Sequence, residues 1–323
     1  MRESTRFSAA AKAALLTLVA TTQARTGWTV RRIVRVLGLS RARYRDWRRR
    51  QREDALADRS TRAPLVDGIL PAERDAVIQY ALAHPTEGYR RLTWQMIDAD
   101  VAYLSASSVY RILDAADLVC RWKRSASVGD RPAAPTRPHE RWHTDLMYLR
   151  IADHWYFLVT VIDAYSRYVV HWELLTSMTA ADVRLVVQEA VERTGASPQV
   201  VTDNGAQFTA AEFKDLVRRF ALRHIRIRTY HPESNGVVER FHRSTREALR
   251  PSPLTNLGQA RDLIGGWVRH YNEERLHASL GYLPPAEYYR GHPAQRQAAR
   301  QHKLAVARRA RRHANTARLT RAA

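Results

Sequence analysis

The sequence predicts an α/β protein: a mixed sheet covered by helices and preceded by all-α units. Three observations lead there. Residues 9–62 and 71–119 place apolar side chains at helical spacing. Residues 142–174 hold three runs rich in β-branched and aromatic residues, separated by short polar turns. From residue 179 helical and strand patterns alternate, as in a sheet with helices packed on it.

Taken in order, Ala9–Ala24 reads as a first helix. Its apolar stretch Ala14–Ala20 looks like a short signal-peptide core, but it sits at the lower limit of length and follows Lys12. Ile33, Val34 and Leu37 continue the helical spacing, Gly38 can make a left-handed turn, and Ser40 can cap a second helix. That helix buries Tyr44 and Trp47 and offers Arg41, Arg43, Arg45, Arg48 and Arg49 around the rest. The outline is a helix-turn-helix whose second helix suits a DNA major groove, although an ordinary basic helical hairpin would read alike. A second helical region opens at Pro71, breaks near His84-Pro85, and resumes through Trp94, Ile97, Val109, Ile112 and Leu113. It is less basic, and packing and DNA contact fit it equally.

The prolines at 132, 135 and 138 mark a linker. Strands are expected over Trp142–Ile151, Trp155–Ala164 and Tyr168–Leu174, a helix over Thr179–Thr194, and a strand over Pro198–Asp203. A helix over Ala210–Leu222, a strand at Ile225–Arg228, and helices from Glu233 to Arg250 and Leu257 to Glu274 complete the pattern. The boundaries that follow are 1–62, 63–122, 123–138, 139–289 and 290–323.

Charge is distributed unevenly along this plan. The chain carries +21 overall; residues 1–62 hold sixteen basic and five acidic side chains, and residues 290–323 hold ten basic and none acidic. The stretch between them is balanced. A neutral middle with basic ends is the footprint of a polyanion binder, and a solubilising tail is the other reading of residues 290–323. The single cysteine, Cys120, excludes an intramolecular disulfide and a cysteine-rich zinc site and fits a reducing compartment. His139 and His143 have zinc-compatible spacing, but no second matched pair supports a zinc site. No apolar run is long enough to cross a membrane.

Three acids fall where such a sheet would gather them. Asp145 lies within the first strand, Asp203 ends the fourth, and Glu239 sits on the helix that follows the fifth. Carboxylates are hard oxygen ligands of the kind Mg²⁺ or Mn²⁺ prefers, and two such ions suit phosphodiester chemistry. Singly, each acid is weak evidence, because an Asp before Asn-Gly is usually a turn residue.

The stretch 139–289 resembles the catalytic core of bacterial insertion-sequence DDE transposases, which share an RNase H-like fold with retroviral integrases. The resemblance rests on Trp142-His143-Thr144-Asp145, Val161 to Arg167, Thr202 to Phe208, His231 to His242, and Tyr271 to Tyr282. Thirty-five residues separate Asp203 from Glu239, the interval of that superfamily. The resemblance implies Asp145, Asp203 and Glu239 as catalytic metal ligands, Mg²⁺ or Mn²⁺ as cofactor in two ions, and double-stranded DNA as partner. It implies two reactions, cleavage of the strand at the element's end and attack of the freed 3′-hydroxyl on target DNA. A homodimer or larger assembly on DNA, in the bacterial cytoplasm and nucleoid, follows from the same source. Asp163 matches a family position that is not a ligand. Arg243 and Arg246 lie on nearly the same helix face as Glu239, where they could grip phosphates or balance the acids. A DNA-binding protein with an inactive core, and an RNase H-like nuclease that cuts without joining, are the competing readings. The basic tail is expected to add salt-sensitive affinity.

Overall fold

The computed structural model describes residues 7–58, 66–119, 134–227 and 236–322. The Pro132 end of the expected linker and the His231–Asn235 part of one motif lie outside the described residues. By its internal contacts the chain divides into two compact units, residues 1–68 with 315–323, and residues 69–314.

The first unit is helical. Helices α1 (Ala9–Thr26), α2 (Val30–Val36) and α3 (Arg41–Arg52) enclose Leu16, Val19, Ile33, Val34, Tyr44 and Trp47. Gly27 and Gly38 adopt φ of 66° and 67°, left-handed turns that glycine makes without a Cβ penalty. The Ser40 side chain accepts the Arg43 N–H at 3.2 Å, capping α3 as its position predicts. Lys12, which interrupts the signal-like run in the sequence, is buried. Its ammonium donates to the Leu56 carbonyl and to Asp58, so the apolar stretch belongs to a folded helix.

The second unit opens with α4 (Pro71–Ala83), α5 (Tyr89–Asp98) and α6 (Ala106–Ala115), closed over Val77, Leu92, Met96, Val109 and Leu113. Strands β1 (Arg141–Ile151), β2 (His154–Asp163) and β3 (Val169–Leu175) form an antiparallel meander. After α7 (Ala180–Thr194) come β4 (Gln199–Thr202), the short α8 (Ala206–Thr209), α9 (Ala211–Arg219) and β5 (Arg223–Arg226). Strands β4 and β5 join in parallel, giving the five-stranded order β3-β2-β1-β4-β5. Helices α10 (Gly236–Leu249), α11 (Leu257–Glu273), α12 (Pro285–Tyr289) and α13 (Pro293–Ala322) follow.

The strand period of two sorts side chains onto two faces. Met147, Leu149 and Ile151 of β1 pack with Phe241 of α10 and with Ile264 and Tyr271 of α11. Trp142 of β1 and Val159 and Val161 of β2 face the other way, toward Val183 and Val187 of α7 and toward Phe208 and Phe213. The sheet is therefore buried on both sides, and within β1 and β2 residue parity decides which layer a side chain enters.

Helix α13 has no counterpart in the sequence pattern, because residues 290–323 show no clear apolar stripe. Charge ties it to the helical region instead. Arg300 holds Asp98 through two bonds, Lys303 pairs with Asp100, and Arg311 pairs with Glu73.

Candidate active site

Asp145 has the parity of Met147 and Leu149, so its carboxylate enters the layer that holds α10. Across the sheet it stands opposite Thr160. One carboxylate oxygen accepts the Leu146 N–H at 2.9 Å, and the other lies 3.8 Å from Nδ1 of His242. The Nε2 of His242 meets the Thr160 hydroxyl at 3.1 Å. Burial, with Arg246 adding to it, pushes the His242 pKa down to about 3. The ring is therefore neutral at pH 7, and its contact with Asp145 is dipolar and not a salt bridge.

Strand β4 brings in the second acid. Its parallel pairing with β1 runs Arg141 to Gln199, Trp142 to Val200 and His143 to Val201. The same register carried two residues further sets Asp145 level with Asp203, just past the end of β4. Asp203 is exposed and accepts the Gly205 N–H at 2.9 Å, the turn role its Asn-Gly context suggests. Asn204 donates to the Ile227 carbonyl at 2.7 Å and pins the loop to the chain beyond β5.

Glu239 occupies the first turn of α10, where a negative charge meets the positive end of the helix dipole. It is exposed and lies one turn before His242, the residue in contact with Asp145. Arg243 and Arg246 are exposed on the same helix. The three acids thus come from the first strand, the end of the fourth strand and the start of α10. Their ligand oxygens do not all lie within 4.8 Å of one another. Among the described residues, only His171, Glu173 and Glu189 form such a group.

Asp163, the fourth acid of the motifs, is fully buried and committed. It accepts the His139 N–H at 2.8 Å, and the Ser166 N–H and hydroxyl at 2.8 and 2.6 Å. It fastens the turn between β2 and β3. Asn272, in the last matched motif, plays a similar part by bonding both backbone groups of Val169 at 2.8 and 3.0 Å. Sequence reasoning passed over His242. The Glu-x-x-His spacing of Glu239 and His242 was its available signal, since residues three apart share a helix face.

In the first unit Arg41, Arg43, Arg45, Arg48 and Arg49 are all exposed around α3, while Tyr44 and Trp47 point into the core. An open depression of about 350 Å³ between α2 and α3 is lined by Arg31, Arg41, Arg45, Arg48, Arg49 and Arg52. Arg49 already pairs with Asp46 at 2.8 Å, and Arg50 turns inward to Asp58 at 3.0 Å.

A three-stranded meander extended by two parallel strands, in the order 3-2-1-4-5, with one acid on the middle strand and another just past the end of its parallel neighbour, is the arrangement of an RNase H-like core of the polynucleotidyl transferase class. Two descriptions of the integrase core domain match this chain, over residues 135–232 and 221–285. An uncharacterized 39.2 kDa protein of insertion element IS476 from Xanthomonas euvesicatoria is 30% identical over 264 residues, covering 80% of this chain and 71% of that protein. Transposase InsD of insertion element IS2 from Escherichia coli is 28% identical over 285 residues, covering 82% and 92%. The chain belongs to the insertion-sequence transposases with an integrase core domain. Among solved structures, the HTLV-2 integrase catalytic core domain in complex with magnesium is similar at a TM-score of 0.40 and 18% identity, covering 47% of this chain and 97% of that one. A simian T-cell lymphotropic virus intasome in complex with a PP2A regulatory subunit gives 0.45 and 17%, covering 67% and 74%. Enzymes of this family act on DNA and use a divalent metal. No helix among the described residues is long and apolar enough to cross a membrane.

Proposed function

We propose that this transposase binds the ends of its own mobile element, cleaves a strand there, and joins the freed 3′-hydroxyl to target DNA. The reading is supported by the parallel pairing of β1 with β4, whose register, carried two residues past His143 and Val201, would bring Asp145 beside Asp203, and by Glu239 in the first turn of α10. The donor set suits a hard cation, because all three candidates are carboxylates. Asp145, Asp203 and Glu239 would hold Mg²⁺ or Mn²⁺, in two ions. When bound, the metal supplies activation of the attacking oxygen and charge stabilisation at the leaving one.

The chain's own residues do the rest. Neutral His242, anchored on Thr160, supports Asp145 from below without neutralising it. In cleavage a water oxygen bonds to the scissile phosphorus and the 3′-oxygen leaves with a proton. In joining that hydroxyl attacks a target phosphodiester and displaces its 3′-oxygen. Arg243 and Arg246, exposed beyond Glu239, would hold phosphates of the DNA end. Arg41, Arg43, Arg45, Arg48 and Arg49 would place α3 in a major groove of the terminal repeats. Joining two ends calls for a homodimer or larger assembly on the DNA, working in the bacterial cytoplasm at the nucleoid.

The test compares Mg²⁺-dependent nicking of DNA carrying the element's ends by wild type and by Glu239→Gln. Loss of at least about a hundredfold is expected, because several kcal/mol of charge stabilisation depend on the ligand set. Equal nicking would sink the assignment. Strand-transfer products from wild type would separate a transposase from a nuclease that only cuts.

A further inference from the structure

The second acid of the site is held through its backbone. Asp203 is exposed, one residue past the end of β4, and its carboxylate accepts only the nearby Gly205 N–H among the described residues. The Thr202 hydroxyl, on a fully buried residue, donates to the Asp203 carbonyl at 2.8 Å and meets Nε2 of His224 at 2.8 Å. Val200 packs on the α7 side of the sheet, and Thr202, two residues further along β4, shares its parity. His224 of β5 pairs with Val200 in the parallel register. Its ring meets Phe213 of the same layer edge to face, with centroids 5.1 Å apart.

Proton counting fixes the direction of this chain of bonds. A hydroxyl has one proton to give, and a carbonyl can only accept. With the Thr202 proton committed to Asp203, the bond from His224 comes from an Nε2–H. Burial, with Arg226 adding to it, holds the His224 pKa below its ordinary value, so the ring is mostly neutral at pH 7 and this N–H is the one it carries. Two further bonds tie the flanking residues to the chain beyond β5. The Ile227 N–H donates to the Thr202 carbonyl at 2.9 Å, and the Asn204 amide donates to the Ile227 carbonyl at 2.7 Å. The Thr202 hydroxyl acts between them, on the Asp203 carbonyl itself.

We propose that His224 is a positioning residue for Asp203: through the Thr202 hydroxyl it fixes the peptide that carries the carboxylate, so that the acid is oriented before a metal arrives. This role rests on Asp203 being a metal ligand, as proposed above. It gives the second acid a counterpart of the Thr160–His242 pair behind Asp145, with the histidine acting on the backbone instead of facing the carboxylate. Partners one step removed from a ligand change metal affinity by about 10–100-fold when lost, because they orient the ligand.

Mn²⁺ binding to the full chain, followed by the paramagnetic resonance of the free ion, tests this together with nicking of end DNA. Thr202→Val and His224→Leu should each weaken Mn²⁺ binding about tenfold and slow nicking, while the Kd for end DNA without metal keeps its wild-type value. His224→Gln, whose amide can still donate to the hydroxyl, should recover most of the loss. Thr202→Val combined with His224→Leu should be no worse than Thr202→Val alone, because the histidine acts through the hydroxyl. Circular dichroism checks folding, and if Thr202→Val is not folded, the two single variants of the half-buried His224 decide. Asp203→Asn separates the two readings. If it leaves Mn²⁺ binding unchanged, the ligand assignment fails and the role of His224 with it. If it weakens binding while Thr202→Val and His224→Leu do not, the proposal alone is overturned. Additive losses in the double variant, or His224→Gln no better than His224→Leu, would overturn it as well.

Discussion

Replacing Arg300 by Met should loosen the second unit far more than replacing Lys303 by Met, although both residues sit on α13 and both pair with an aspartate. Arg300 is 3% exposed and grips Asp98 through two charge-assisted bonds of 2.8 and 2.5 Å. Its guanidinium also lies 5.0 Å from the centre of the Trp94 ring. Removing one partner of a buried pair costs about 3–5 kcal/mol, because the other charge stays behind uncompensated. Asp98 keeps a fifth of its surface and has Arg296 at 3.9 Å, which places the loss near the low end. About 3 kcal/mol corresponds to more than a hundredfold in the opening equilibrium. Lys303 and Asp100 are both much more exposed, so solvent already screens them and their loss should be small. Hydrogen exchange of the α5 and α13 amides under native conditions reads the two variants side by side. Equal protection in both would refute the view that α13 is held by buried charge. The result also bears on the basic C-terminus as a DNA-binding tail, since Arg300, Lys303 and Arg311 are engaged with Asp98, Asp100 and Glu73.

Three further outcomes follow from the same structure. Burial, with Arg275 and Arg91 adding to it, lowers the His277 pKa to about 3 in the folded chain, below the ordinary 6.5. The unfolded chain therefore takes up the proton first as pH falls, so stability is full above pH 6.5 and declines toward pH 3 by about 1.4 kcal/mol per unit. His277→Phe should remove that contribution from the pH dependence of the unfolding free energy measured in urea, and an unchanged dependence would count against a buried neutral ring. Asp163→Asn puts an amide donor among three donors, at a cost of about 1–3 kcal/mol. Its urea midpoint should fall, whereas a variant with wild-type stability and impaired metal binding would make Asp163 a ligand. Arg45→Ala with Arg48→Ala should lower the slope of log affinity against log salt for end DNA by about 0.9 for each phosphate that is no longer neutralised. An undiminished slope would remove α3 from the interface.

Much of this was legible in the sequence wherever a period or a cap carried it. The alternation of β1 through Met147, Leu149 and Ile151 matches its buried face, and Gly38 and Ser40 make the turn and cap that their types suggest. The three acids were readable as motifs, but the parallel pairing of β1 with β4 was not, because strand pairing across 58 positions leaves no local trace. Helix α13 escaped for a different reason. Its anchors are Arg300, Lys303 and Arg311, which look solvated in a one-dimensional pattern and bind partners some 200 residues earlier.

The parallel register of β1 and β4 also determines where the chain tolerates changes of length. Segments 176–179 and 195–198, on either side of α7, can grow or shrink without altering which residues face each other, because pairing is fixed again at Gln199. A single residue gained or lost between Gln199 and Asp203, or between Arg141 and Asp145, turns one carboxylate to the opposite face and shifts it about 3.3 Å along the strand. Lineages descended from this chain should therefore vary freely in those loops while counting every residue of two short strands.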